Sequence, residues 1–301
     1  MTSTIVVAGA TGNLGGRIVK ALAHHGAEVW ALARPQADPD RLAALEAGGA
    51  RIVKIDLDDT AGLVAALEGA DVVVSALNGL RPVIVEAQSH LLAAAVKAGV
   101  RRFIPSDYAA DFTKTADEPN RNFDLRREFA AVLDAAPIEA VSVLNGMFMD
   151  LLAYGMPLFD LKKHSVIYWG DADQLYDLTT MDDTAAVTAL AALDLKAQRY
   201  MRVAGQQLSP RGLAQLGEDM TGVPFDLTSA GSIEQLGLAI DTARAADSSG
   251  EDQEFPRWQQ MQYIRNMASG RAKLEPVDNA RFAEIEWTSV RDLVARMLAG
   301  R

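Results

Sequence analysis

The sequence predicts an α/β protein built on a doubly wound parallel sheet, and three observations predict it. Short runs rich in β-branched residues alternate with longer amphipathic stretches. The runs are apolar at nearly every position rather than at every second one. A glycine triplet stands directly between the first run and the first amphipathic stretch. Continuous apolarity marks strands buried on both faces, the pattern of parallel sheets covered by helices on each side.

The elements are taken in chain order. TIVVA (4–8) is a strand and 13–25 a helix; EVWALA (28–33) is followed by a helix over 38–48, ARIVKI (50–55) by 60–68, and DVVVSA (71–76) by 83–98. RRFIPS (101–106), a polar loop, a helix over about 121–135 and EAVSVL (139–144) complete six strands. After Asn145 the rhythm changes: GMFMDLLAYGMPLFDL is rich in Met and aromatics, VIYWG is a short strand, and a helix restarts at Asp182-Asp183, whose carboxylates are expected to cap it. YMRVA (200–204) is expected to return to the sheet, ARAADSSGEDQE (243–254) to be a mobile connection, and WTSVRDLVARML to start a last helix from its Thr. These shifts divide the chain into a domain of 1–150 with about 176–206, and a smaller lobe of 151–175 and 207–301.

Composition removes several function classes. A net charge of −11, from 40 acids against 29 bases, repels a phosphate backbone, and no basic run exceeds Arg101-Arg102 or Arg126-Arg127, so nucleic acid is not an expected partner. The absence of cysteine removes disulfides, thiolate catalysis and Cys-ligated zinc. The four histidines are scattered, so no metal site is expected. MTSTIVVAGATG has neither a basic segment nor a long apolar one, and no apolar run reaches about 18 residues, so the expectation is a cytoplasmic protein without a membrane partner.

The glycine triplet carries the first chemistry. In GATGNLG, Gly9, Gly12 and Gly15 come directly after a strand and open a helix: one for a tight turn, one for close approach of a pyrophosphate, one for helix–strand packing. Thr11, Asn13 and Leu14 complete the loop, and the helix N-terminus supplies N–H donors. Arg34 stands at the end of the second strand, where an acid would hold the ribose of NAD; an arginine suits a 2′-phosphate, so NADP(H) is the preferred cofactor and NAD(H) a possible one. Asp56 and Leu57 come after the third strand, Asp56 either facing an adenine or capping the next helix. Ala76, Leu77 and Asn78 close the fourth.

Taken together these residues resemble a known family. GATGNLG, VVSALNG, VRRFIPSDY, EPNRNFDLRREFAAVLDAA, LTTMDDTA and YIRNMASGRAKLEPVDNARF are similar to recurring blocks of the NmrA-like and isoflavone-reductase-like group of atypical short-chain dehydrogenases/reductases, across nearly the whole chain. The resemblance implies a Rossmann-type cofactor domain with a nicotinamide site around Pro105, Ser106 and Tyr108, and a substrate-binding C-terminal lobe. It implies Asn145, Gly146, Met147 and Phe148 on the other side of that site; the expected substrate contacts are Asp107, Tyr108, Asn145, Met147 and Phe148, with Trp169 and Trp258 as walls of an apolar pocket. The group's reductases carry a lysine in a pattern like F-x-x-K. Here that register reads Phe123-Asp124-Leu125-Arg126, and no Tyr-x-x-x-Lys pair replaces it.

Arginine stays charged where lysine can exchange a proton, so Arg126 is expected to stabilise an oxyanion and Tyr108 or water to supply the proton. Lys114 is the other nearby donor, read as a surface residue. Phe255, Trp258, Met261, Ile264 and Met267 recur every three residues as a buried helix stripe or a pocket wall. The expected activity is reduction, by hydride transfer from NAD(P)H, of an apolar aromatic carbonyl, enone or quinone-like compound by a monomer or homodimer. The alternative is a non-catalytic NAD(P)-sensing regulator of the same family.

Overall fold

A computed structural model describes residues 2–154, 156, 158–247 and 249–299. It divides into two compact units: Met1–Tyr108 with Leu125–Val143 and Thr184–Met201, and Ala109–Asp124 with Leu144–Asp183 and Arg202–Arg301. Residues 109–124, 144–150, 176–183 and 202–206 thus fall in the second unit, and the divisions cross two helices, between Asp124 and Leu125 and between Asp183 and Thr184.

The first unit carries β1 (Thr4–Ala8), β2 (Glu28–Ala33), β3 (Ala50–Lys54), β4 (Val72–Ser75), β5 (Arg102–Ile104) and β6 (Glu139–Ala140) in one sheet of order β3-β2-β1-β4-β5-β6. All pairings are parallel, with Val6 opposite Trp30 on one side and Val73 on the other. Every residue of β1 is buried, so both faces of the central strand are covered, as its unbroken apolarity requires. Reversal of strand order at β1/β4 creates the crevice in which such sheets bind ligands, beyond the strands' carboxyl ends.

The connecting helices are α1 (Asn13–His24), α2 (Pro39–Ala47), α3 (Thr60–Leu67), α4 (Gln88–Lys97), α5 (Arg121–Asp134) and α6 (Met181–Leu193). Asp38 caps α2 by accepting from Asp40 N–H at 2.9 Å, with Pro39 at its first position. A π-helical turn, Pro82–Ala87, precedes α4 where an uninterrupted α-helix was expected. Arg102 is buried at the start of β5, where its Nη1 donates to Ala191 O (2.9 Å) and Asp194 O (2.6 Å) and neutralises the C-terminal carbonyls of α6.

The strand expected over 139–144 is broken. Val141 N–H still donates to Phe103 O, but Ser142 N–H turns to Arg199 O at 2.7 Å. The cause is the brevity of β5, which ends just before Pro105 and leaves the incoming chain without further partners. Residues Ser142–Leu144 form β7, which pairs with β11 (Tyr200–Arg202). YMRVA therefore joins that two-stranded pairing rather than the six-stranded sheet.

The second unit contains β8 (Met147–Phe148), β9 (Ser165–Tyr168), β10 (Tyr176–Thr179), β12 (Gln206–Leu208) and β13 (Asp226–Ser229), with α7 (Pro210–Thr221), α8 (Ile233–Ala246), α9 (Arg257–Ala268) and α10 (Val290–Ala299). Its core gathers Met147, Met149, Phe159, Tyr176, Leu213 and Val294. Among the described residues no helix is long and apolar enough to cross a membrane.

Three sequence expectations fail in this unit. The segment after α8 is not a loose connection: Arg121 donates to the carbonyls of Gly250, Glu251, Gln253 and Glu254 at 2.8–3.2 Å, and Asn122 Nδ2 adds a bond to Glu254 O at 3.1 Å. The buried face of α9 is not the apolar stripe. Phe255 is exposed and Met261, Ile264 and Met267 are half-buried, while Gln259, Gln262 and Asn266 are buried. They bond to partners in 118–121: Gln259 Nε2 donates to Asn120 Oδ1 (2.9 Å), Asn120 Nδ2 to Asn266 Oδ1 (2.7 Å), Arg121 N to Gln262 Oε1 (3.1 Å) and Asn266 Nδ2 to Glu118 Oε2 (2.6 Å), while Gln259 Oε1 is left without a partner. Lastly, α6 is capped by Thr180 Oγ1, which accepts from Asp183 N–H at 3.0 Å, and by Asp150, which accepts from Met181 N–H at 2.8 Å. The buried Asp183 carboxylate instead accepts from Thr288 N–H and Oγ1.

Candidate functional site

The loop between β1 and α1 is built by backbone geometry. Gly9 has φ +78°, and a Cβ there would lie 2.5 Å from Ala76 O, so only glycine lets the loop meet the end of β4. A Cβ on Gly15 would lie 2.2 Å from Gly9 O, which makes Gly15 the close-packing position of α1 against the loop. Gly12 differs. Its φ of −76° suits any residue, and a Cβ would meet only Gly9 O, at 3.2 Å.

What Gly12 leaves clear is a groove of about 530 Å³ between α1 and α2, lined also by Thr11, Asn13, Arg17, Lys20 and Arg41. No carboxylate is among its described lining residues. Gly12 is also the N-cap of α1 and offers no side-chain cap, so the first N–H groups face outward with the positive end of the helix dipole. Arg41 Nη1 donates to Thr11 O at 3.0 Å, and Arg17 Nε to Asn13 Oδ1 at 3.1 Å. This open, cationic, backbone-lined cradle fits a pyrophosphate-bearing dinucleotide.

Arg34 is exposed just beyond β2. Arg41, which pattern reasoning missed, joins the groove because α2 brings it back to Thr11; only the register of α2 against the loop could have signalled it. Asp56 is exposed, and its Oδ1 accepts from Asp58 N–H at 3.1 Å in a turn. The α3 cap is Asp59, not Asp56. Leu57 packs half-buried against the sheet core, and Ala76 and Leu77 line the end of β4 half-buried, with Asn78 exposed.

The end of β5 is the opposite kind of surface. Pro105, Ser106, Asp107 and Tyr108 are all buried. Ser106 Oγ donates to Leu77 O at 2.6 Å, tying the ends of β4 and β5 together, and Ser106 N–H donates to Gln88 Oε1 at 3.0 Å. Asp107 turns inward: its Oδ2 accepts from Ser142 Oγ at 2.7 Å, and Arg199 Nη1 donates to that same Ser142 Oγ at 2.6 Å. Burial pushes the Asp107 carboxyl above the usual carboxylate range, against the Ser142 hydrogen bond and the charges of Arg126 and Arg199. Asp107 is 1% exposed, with Oδ2 bound to Ser142 and Oδ1 buried without a hydrogen-bond partner, so it is placed inside the protein and not on an open surface.

Arg126 is half-buried on α5, and its charge acts on Asp107. Burial, reinforced by Asp107, raises the Tyr108 phenol well above its ordinary range, so the hydroxyl keeps its proton.

In the second unit, Asn145 is fully buried, its carbonyl accepts from Thr179 Oγ1 at 2.7 Å, and its side-chain amide has no protein partner at either end. Gly146 has φ +70°, and a Cβ there would lie 2.3 Å from Asp177 O, so the turn into β8 requires glycine. Met147 is buried in the core, and Phe148 and Trp169 are half-buried. Trp258 is not a pocket wall: it is fully buried between the guanidinium groups of Arg121 and Arg244, at 4.7 and 4.6 Å from its ring. Lys114 is not a free donor either, since its Nζ binds Lys273 O and Glu275 O, each at 3.0 Å.

A parallel sheet with a strand-order switch, and a cationic glycine cradle beside it, define a dinucleotide-binding protein of the Rossmann type, and comparison with known proteins gives its family. The family model described as the NmrA-like family matches residues 1–243, and the chain belongs to that family. An isoflavone reductase homolog of Zea mays is 33% identical over 242 residues, covering 74% of this chain and 76% of its own. Bifunctional pinoresinol-lariciresinol reductase 1 of Linum usitatissimum is 30% identical over 250 residues, 78% and 80% of the two chains. The fold matches the solved structure of AtPrR2 with NADP+ and (+)pinoresinol at a TM-score of 0.82 and 24% identity, covering 99% of both chains. It also matches an NADPH-dependent quinone oxidoreductase of Escherichia coli at 0.74 and 19% identity, over 98% and 99%.

Proposed function

We propose that this protein is an NADP(H)-dependent reductase of an apolar aromatic compound bearing a conjugated carbonyl, enone or quinone-like group. The observation that carries the reading is the open Gly12 cradle with arginines beside it; the reductases among its relatives support it. When bound, the cofactor supplies a hydride. The first N–H groups of α1 hold the pyrophosphate, with Arg41 in the same groove, and Arg34, exposed at the end of β2, binds the 2′-phosphate through charge-assisted bonds. Arg126 stabilises the negative charge that develops on the substrate oxygen. Such a fixed charge suffices where the product anion is an enolate or phenolate and serves poorly for an aliphatic alkoxide. Tyr108 or water supplies the proton. Asn145, Phe148 and Trp169 are the residues we assign to the aromatic guest, with Met147 supporting them from the core.

The arginine at the position where the family's reductases carry lysine favours a second reading, a cofactor-binding sensor without turnover. NADPH oxidation measured against quinones, lignans and aryl ketones separates the two. Turnover of the conjugated compounds with little of simple ketones supports the reductase. NADPH binding with no turnover across the panel supports the sensor.

A further inference from the structure

Gln88 lies fully buried at the first position of α4, directly after the π-helical turn, and no part of the proposed chemistry uses it. Its amide is spent at both ends. Nε2 donates to Ile84 O at 2.6 Å, within the π turn, and Oε1 accepts from Ser106 N–H at 3.0 Å. The arrangement has one sense only, because a backbone N–H must face the amide oxygen and a carbonyl the amide nitrogen. Ser106 in turn donates through Oγ to Leu77 O at 2.6 Å. One buried amide thus fixes the backbone that closes β5 and, through Ser106, the carbonyl that closes β4. These two strand ends flank the crevice on the side away from Gly12, where the nicotinamide half of a bound NADP(H) belongs. π turns recur at functional sites because the extra residue re-aims the side chains next along the helix, and the residue next after this turn is Gln88.

We propose that Gln88 is a positioning residue for the nicotinamide half of the cofactor, acting through Ser106 and the Leu77 carbonyl. The inference rests on the NADP(H) reading of the site. A residue that merely supported the fold would affect every ligand of the cradle alike, whereas Gln88 discriminates between the two halves of one ligand.

The test compares binding of NADPH with that of 2′,5′-ADP, which carries the adenosine phosphates and no nicotinamide. Gln88→Leu strands the buried Ser106 N–H and is expected to weaken NADPH binding about tenfold, the worth of one buried hydrogen bond, while 2′,5′-ADP binding changes less than about twofold. Gln88→Glu provides an internal rescue. A neutral carboxyl can donate to Ile84 O and accept from Ser106 N–H together, but a carboxylate would face the Ile84 carbonyl with a second negative oxygen. NADPH affinity of Gln88→Glu is therefore expected near that of the unmodified protein at about pH 5 and falling toward that of Gln88→Leu by about pH 8. Equal weakening of both ligands, or unchanged NADPH binding in both variants across this range, would overturn the assignment and leave the cofactor reading standing. Failure of the unmodified protein to bind either ligand would overturn the cofactor reading and this inference with it.

Discussion

Two loops close neighbouring regions of the same sheet, and they are built by opposite means. The loop after β1 is open, nearly bare of side chains and surrounded by cations; its shape comes from three glycines, two of which cannot carry a Cβ without striking backbone. The loop after β5 is buried, and its Ser106 and Asp107 are each tied to side chains or carbonyls from distant parts of the chain. The first loop leaves its N–H groups open; the second commits Ser106 and one Asp107 oxygen to internal bonds. On the proposed reading, one site combines a cradle open to the ligand with a wall tied to the rest of the chain.

The sharpest way to test the contrast is to remove charge beside the second loop. Arg126→Ala is expected to lower kcat on a conjugated substrate by about 10² to 10³, the range for loss of an oxyanion contact, while NADPH binding changes little. Steady-state kinetics with a separate NADPH titration checks this, and undiminished kcat would remove Arg126 from the mechanism. In the first loop, Gly12→Val should weaken NADPH binding by roughly a hundredfold or more, about 2.7 kcal/mol, in a protein that still folds, because its side chain fills the groove and meets little protein. Gly15→Ala should do the converse. With a Cβ 2.2 Å from Gly9 O, the helix must shift, and chemical denaturation should show a loss of about 3 kcal/mol.

A smaller effect concerns pH. Burial holds the folded pKa of Asp107 above its unfolded value, so its contribution to stability is fully present at acid pH, below the unfolded pKa, and is lost as pH rises through the folded pKa. Asp107→Asn keeps an acceptor for Ser142 and removes the ionisation. The variant should gain stability relative to the unmodified protein as pH is raised from the acid range toward neutrality, measured by denaturant unfolding at each pH. A difference that is constant with pH would show that Asp107 is not perturbed.

The two loops also differ in how far the sequence foretold them. Gly9, Gly12 and Gly15 are legible because a left-handed turn and a close approach are backbone requirements that only one residue type meets. The strands are legible because burial on both faces leaves unbroken apolar runs. The second loop's partners were hidden: nothing local to Gln88, Ser142 or Arg199 indicates that they meet Ser106 and Asp107. Arg41 was missed for the same reason, since it reaches Thr11 only through the packing of α2.

The helix over 257–268 misled because aromatic and Met residues at every third position suggest a core stripe, while its buried face carries amides matched to Asn120 and Glu118. The acidic segment 243–254 read as loose because Arg121, which fastens it, lies far upstream. The break at Ser142 came from the shortness of β5, a property of the partner strand rather than of EAVSVL itself.

The central claim is that the cradle after β1 holds NADP(H) and recognises its 2′-phosphate through Arg34. The most direct measurement is a parallel fluorescence titration of the unmodified protein and Arg34→Ala with NADPH and NADH. NADPH is expected to bind the unmodified protein about ten- to a hundredfold more tightly than NADH, and Arg34→Ala to remove most of that preference. Equal affinity of the unmodified protein for the two cofactors would contradict the claim.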